Sequence, residues 1–283
     1  MAVVEMSTSR LKKLDALRSG SIGEVPLWLH NHHRWTLPLI AAAQDFGHVP
    51  RPCHLIVFDQ HRDAVAPRCV AALQELQEKG ATIDALIDLS ARHLSTMNDD
   101  WIKGAMELGL VDHAIVFGAR LAGLLDNELE FNDCRGERHR IFLPGLPKTG
   151  LDYQGDLSDL ARHTELRELW GLLGWGSRAT GEFSFAEQRP KLFLSIDLDC
   201  FIICWREYLL PWVHEVYEKE FLTASTYGPT KGWTGKKFFD GLLASAGVID
   251  IAREPDCCGG SETADHVLAD INRYIFDGCL AVS

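Results

Sequence analysis

Positive charge is scarce in this sequence: 28 Lys and Arg stand against 40 Asp and Glu, for a net charge of −12. A general binder of nucleic acid or of an anionic membrane needs a basic face, so no nucleic acid and no membrane is expected as a partner. Paired cysteines are also missing. None of the eight (residues 53, 69, 134, 200, 204, 257, 258 and 279) belongs to a CxxC pair, which argues against a zinc ribbon or a thioredoxin-type site. Reduced thiols and a cytoplasmic location are the expectation. No apolar run approaches the roughly 20 residues of a membrane span. The opening MAVVEMSTSRLKKLDALRSG has no apolar core of signal-peptide length. Internal repeats and low-complexity tracts are absent as well.

What remains is the profile of a soluble globular protein, 283 residues long, with 46% hydrophobic and 24% charged residues. Residues 1–20 read as a polar, partly helical lead-in. VPLWLH (Val25–His30) is expected as a short strand, followed by the loop HNHHRW. TLPLIAAAQDFG suits a helix, with Thr36 placed to cap it, Pro38 in its first turn and Gly47 stopping it. HLIVFDQ is the next strand, and AVAPRCVAALQELQEKG the next helix, with Pro67 in its first turn. TIDALIDLS reads as a third strand and NDDWIKGAMELGLV as a helix. DHAIVFGA and RHRIFLP are two further strands.

The middle, from Lys148 to Pro190, is Gly-rich and irregular apart from a helical piece, LSDLARHTELRELWGLL. A buried strand follows from Leu192, then a mixed segment, CWREYLLPWVHEVYEKEFL, helical in its later half. KKFFDGLLASA is a helix, GVIDIARE a last strand, and SETADHVLADINRYIF a closing helix capped at Ser261. Strands alternating with helices over the whole length predict one α/β domain, residues 1–283, built on a mostly parallel, doubly wound sheet.

The chemistry gathers at strand ends. LFLSIDLDCF delivers Asp197 and Asp199 at the edge of such a sheet, and two like charges so close need a positive partner. VFDQHRDA brings Asp59, His61 and Asp63 in alternation, which extended backbone would put on one face. The first strand ends in His30, Asn31, His32 and His33, from which His33 or His32 would supply a nitrogen donor. Four carboxylates balance two divalent cations. An oxygen-rich donor set with imidazole suits manganese or, less specifically, iron, cobalt or zinc. Two such ions share a water and lower its pKa for attack on a planar, unreactive electrophile.

These residues, in this chain order, resemble the ureohydrolase signature of arginases and agmatinases. The finer similarity is to an arginase-like family that includes peptide arginases acting on ribosomally made peptides. It rests on His33 ahead of Leu37-Pro38, FDQHRD, SIDLDCF, the late Ile251-Ala252-Arg253 with Pro255-Asp256, and the stretch NDDWIKGAMELGLVDHAIVFG.

The resemblance implies two Mn2+ ions, with Asp59 and Asp197 bridging, His33 and Asp63 completing one coordination sphere, and His61 and Asp199 the other. It further implies hydrolysis of a guanidinium in an arginine-containing peptide, giving ornithine and urea. Asp63 would relay a proton, Glu254 would anchor the guanidinium, and His93, placed after the third strand, would be an acid or base. Two departures from free-arginine arginases point to the peptide branch. Cys200 and Phe201 stand where a further acid is usual, and Asn31-His32 replaces a Gly-Gly-Asp setting. Trp205, Trp212, Trp233, Tyr208, Tyr217 and Tyr227 are expected as core and rim packing, some of them lining a peptide groove. A small-molecule ureohydrolase and a metal-dependent deacetylase of the same fold are the alternatives.

Overall fold

The computed structural model describes residues 11, 14, 17–118, 128–143, 175–177, 183–185, 191–205, 208–218, 222 and 235–282. Their strands are β1 (Arg18–Ile22), β2 (Val25–His30), β3 (Cys53–Phe58), β4 (Val111–Phe117), β5 (Glu128–Asn132), β6 (Arg138–Phe142), β7 (Trp175–Ser177), β8 (Phe183–Phe185), β9 (Leu192–Asp197), β10 (Ile202–Trp205), β11 (Tyr208–Pro211), β12 (Ala246–Ala252) and β13 (Leu280–Val282). The helices are α1 (Thr36–Asp45), α2 (Val70–Lys79), α3 (Ile83–Arg92), α4 (Trp101–Glu107), α5 (His214–Tyr217), α6 (Gly235–Ser245), α7 (Pro255–Cys258) and α8 (Ser261–Tyr274).

Every residue of β9 and of β12 is buried, a pattern that only strands covered on both faces can hold. They sit in the middle of a nine-stranded sheet of order β13-β1-β2-β12-β9-β3-β4-β6-β5. From β2 to β6 neighbouring strands run parallel, while β13, β1 and β5 add antiparallel edges. Alternation sends Leu55 and Val57 of β3 to one face and Ile56 and Phe58 to the other. The first face packs on α1, α3 and α4 through Leu39, Leu86 and Trp101. The second packs on α6 and α8 through Phe239, Leu242, Val267 and Ile271. The expectation of a mostly parallel sheet with helices on both sides therefore holds.

β3 and β9 are adjacent, yet β3 leads on to β4 on one side and β9 to β12 on the other. Such a divergence opens a crevice at the carboxyl ends of the two strands, the usual ligand position in an open α/β sheet. Asp59 follows β3 and Asp197 ends β9, so both acids fall in that crevice.

Several local expectations are corrected. TIDALIDLS is helix α3, not a strand. Its buried residues Ile83, Leu86, Leu89 and Ser90 recur with helical spacing, and Thr82 caps it by accepting the Ala85 N–H at 3.3 Å. Part of the lead-in is strand β1, whose poor strand formers are held by pairing with β2 and β13. At Gly20 a Cβ would stand 2.0 Å from the Ala281 carbonyl oxygen, so the pairing there requires glycine.

Helix α2 starts at Val70, after Pro67; the chain before it is held in another conformation, with Asp63 and Ala64 buried and the Val65 N–H bonded to the Asp99 carbonyl at 2.8 Å. The segment after β9 opens with the hairpin β10–β11 before the short α5. Thr36 and Ser261 lie inside their helices; Trp35 and Gly260 hold the cap positions. The helical piece expected within Lys148–Pro190 lies outside the described residues. No helix among the described residues is long and apolar enough to cross a membrane.

Candidate metal centre

Each donor reaches the crevice by a different local device. After β2 the chain makes a short 3-10 turn, His33–Trp35, that turns His33 inward; His32 stays half-buried outside the cluster. After β3 the backbone leaves the extended path, and Asp63 adopts a φ of 44°, a left-handed conformation uncommon for a non-glycine residue. Asp59, His61 and Asp63 converge through this turn rather than by sharing a strand face as expected. After β9 a 3-10 turn, Leu198–Phe201, is capped by Asp197, whose carboxylate accepts the Asp199 N–H at 3.0 Å.

The result is two donor groups. His33 Nδ1 lies 3.0 Å from Asp59 Oδ2, 3.0 Å from Asp63 Oδ2 and 3.2 Å from Asp197 Oδ2. His61 Nδ1 lies 2.9 Å from Asp199 Oδ2 and 3.5 Å from Asp59 Oδ1. Asp59 thus gives one oxygen to each group. His33, Asp59, Asp63, Asp197 and Asp199 are all buried, whereas the His61 side chain is 54% exposed and marks the solvent side.

The donor set fits cations. One Nδ1 cannot donate a proton to three carboxylates at once, but around an ion with bonds of about 2.1 Å, octahedral neighbours stand about 3.0 Å apart. Asp199 Oδ2 is buried without a hydrogen bond, although His61 Nδ1 is close by. The electrostatics agree. Burial and the Asp59 charge push the Asp63 carboxyl well above its ordinary range; burial, Asp199 and Asp59 do the same to Asp197. Burial also pushes Asp59 up, but His33 and His61 overcome it and hold that carboxyl low. The His61 imidazole is pushed up to about 12, chiefly by Asp199 and then by Asp59. Four clustered carboxylates demand a counter-charge of this kind.

Behind the donors lies a buried polar network. His33 Nε2 is 2.9 Å from Ser195 Oγ, which donates to Asp250 Oδ2 at 3.1 Å. Thr36 Oγ1 also donates to Asp250 Oδ2 at 2.6 Å, and His30 Nε2 meets Asp250 Oδ1 at 2.6 Å. Trp101 Nε1 donates to Asp63 Oδ2 at 2.6 Å. Sequence reasoning missed Ser195, Asp250, Trp101 and Asn98. One signal was available: an aspartate inside the apolar run VIDIA must have a buried partner.

Glu254 is brought to the centre by β12, whose pairing with β2 continues as the Glu254 N–H bonds the Asn31 carbonyl at 3.0 Å. Its backbone is left-handed (φ 39°), and burial raises its carboxyl above the ordinary range. Oε1 accepts from the His33 N–H at 2.5 Å and from Asn98 Nδ2 at 2.6 Å. Among the described residues Oε2 takes no hydrogen bond.

His93 is not brought in. It caps the C-terminus of helix α3, not a strand, and is exposed with no contact to the cluster among the described residues. Cys200 is buried with its thiol directed at the Phe117 carbonyl, so it does not replace a carboxylate donor. Trp212 and Tyr217 are core, packed on Phe201, as expected; Tyr208 is half-exposed, and Trp233 and Tyr227 lie outside the described residues. The sequence matches no protein-family model, and no curated protein matches it at a significant level.

Proposed function

We propose that the protein is a binuclear, manganese-dependent hydrolase of the arginase-like class that converts arginine within a peptide to ornithine and releases urea. The observation that carries this reading is the split of Asp59, with Oδ2 in the His33 group and Oδ1 in the His61 group. A carboxylate shared in that way is what a pair of neighbouring cations requires. His33 and Asp63 would hold one ion, His61 and Asp199 the other, with Asp59 and Asp197 common to both. When bound, the two Mn2+ ions supply Lewis-acid charge and lower the pKa of a coordinated water.

The chain's own groups do the rest. Water adds to the guanidino carbon, a C–O bond forms, the C–N bond to the side chain breaks, and the displaced nitrogen leaves protonated. Asp63, fixed by the Trp101 N–H, is the group that takes the proton from water and returns it to the leaving amine. Glu254 presents Oε2 as the anionic partner that orients a guanidinium. The choice of a guanidino group in a peptide rests on the similarity of FDQHRD, SIDLDCF and the late IAR-PD segment to the arginase-like family.

The test is incubation with Mn2+ and an arginine-containing precursor peptide, read by tandem mass spectrometry. The expected result is arginine converted to ornithine, abolished in Asp197→Ala and Asp59→Ala. Unchanged peptides together with urea release from agmatine would transfer the activity to small guanidino compounds. Unchanged peptides together with removal of acetyl groups from lysine or polyamines would make it a deacetylase.

A further inference from the structure

At the other end of the parallel sheet, His54 near the start of β3 meets Asp112 and His113 near the start of β4. One donor atom from each of the three lies within 4.8 Å of the others. Five residues of extended strand, at about 3.3 Å each, separate His54 from Asp59, so the cluster stands about 16 Å from the metal centre.

The grouping depends on an irregularity in the pairing. Cys53 is opposite Val111 and Leu55 is opposite Ala114, so one residue, His54, faces two, Asp112 and His113. In a regular strand Asp112 and His113 would point to opposite faces. A bulge of this kind re-aims a side chain, and here it brings both consecutive residues to His54. The rings of His54 and His113 are 5.9 Å apart and edge-on, and His113 Nδ1 is 2.9 Å from Asp112 Oδ2. Nδ1 of each imidazole is shut off from solvent without a hydrogen bond. Burial and the neighbouring His113 hold the His54 imidazole below its ordinary value, which leaves its lone pair available at neutral pH.

A second His/Asp cluster among the described residues shows the contrast. Asp133, Glu137 and His139 also come together, but the Arg135 guanidinium occupies that position, with Nη2 3.0 Å from Asp133 Oδ2. Among the described residues no Lys or Arg pairs with Asp112. Arg140, opposite His113 on β6, lies 3.7 Å from Glu130 and over the Phe142 ring instead.

We propose that His54, Asp112 and His113 form a second cation site, separate from the hydrolytic centre, that takes Zn2+ in preference to Mn2+. Two imidazoles and one carboxylate are a borderline-soft set that suits zinc, whereas the oxygen-rich centre suits manganese. Tetrahedral bonds of about 2.0–2.1 Å place ligand atoms about 3.3 Å apart, a closure that rotation of these half-buried side chains can supply. Three protein ligands leave a fourth position for water. The site clamps β3 to β4 at the end of the sheet away from the hydrolytic centre, and it stands whether or not the proposed hydrolysis does.

The test uses the full chain and Zn2+ alone, with bound metal counted by equilibrium dialysis and elemental analysis. Asp59→Ala/Asp197→Ala is expected to retain one Zn2+ per chain, and addition of His54→Gln/His113→Gln to remove it. Zinc stoichiometry unmoved by His54→Gln/His113→Gln overturns the proposal. A reading on the unaltered protein makes the outcome independent of variant folding. Zn2+ is expected to slow carbethoxylation of His54 and His113 at least tenfold, with Mn2+ at the same concentration leaving it unchanged. Equal labelling of both histidines with and without Zn2+ refutes the site.

Discussion

Replacing Ser195 by alanine removes the hydroxyl that joins His33 Nε2 to Asp250. A ligating imidazole held by such a partner keeps its orientation and basicity, and loss of the partner costs about 10–100-fold in metal affinity. Ser195→Ala is therefore expected to weaken Mn2+ binding by that factor in a calorimetric titration, with an unchanged far-UV spectrum. Glu254→Gln asks a different question. Glutamine can still accept from His33 and Asn98, so the fold and the metal content should stay as they are while the negative charge disappears. Activity on an arginine peptide is expected to fall about 10–100-fold, the worth of a charge-assisted hydrogen bond; full activity would remove Glu254 from the guanidinium. Six donors were legible in the sequence because they lie in short motifs at strand ends. Ser195, Asp250 and Trp101 were not, since their partners are set by the packing of distant segments; Trp101 stands 38 residues from Asp63.

Helix α3 shows how a whole element can be misjudged from composition. TIDALIDLS is rich enough in Ile and Leu for a strand, yet its buried positions fall three and four apart and Thr82 closes the N-terminus. Thr82→Ala is expected to lower stability by about 1 kcal/mol in urea unfolding, the usual worth of an N-cap; no change would mean that tertiary packing alone holds the helix. The correction also moves His93. As the C-cap of an exposed helix end it is remote in role from the acids, although the loop that follows carries Asn98 to Glu254. Strand β1 was illegible for the opposite reason, because Arg-Ser-Gly-Ser-Ile carries almost no strand signal and becomes a strand through its neighbours. The central strands were easy to read, since burial on both faces writes a continuous apolar run into the sequence.

Across the whole molecule, a cation bound at the centre would be thermodynamically linked to the fold. An ion bound by the native state alone stabilises it by about 2.7 kcal/mol at a hundred times its dissociation constant. Mn2+ is expected to raise the melting temperature by several degrees, a rise that a chelator reverses and that Asp59→Ala/Asp197→Ala lacks. The same linkage has a temporal side, fixed by the place of β12 between β2 and β9. β2 emerges early in translation and the strand it must pair with emerges late. At about 5–20 residues per second, β2 waits roughly 10–45 s for β12. Until then β2 lacks the parallel strand that stands between it and β9. A ribosome-bound chain halted before β12 is thus expected to acquire no metal at the centre.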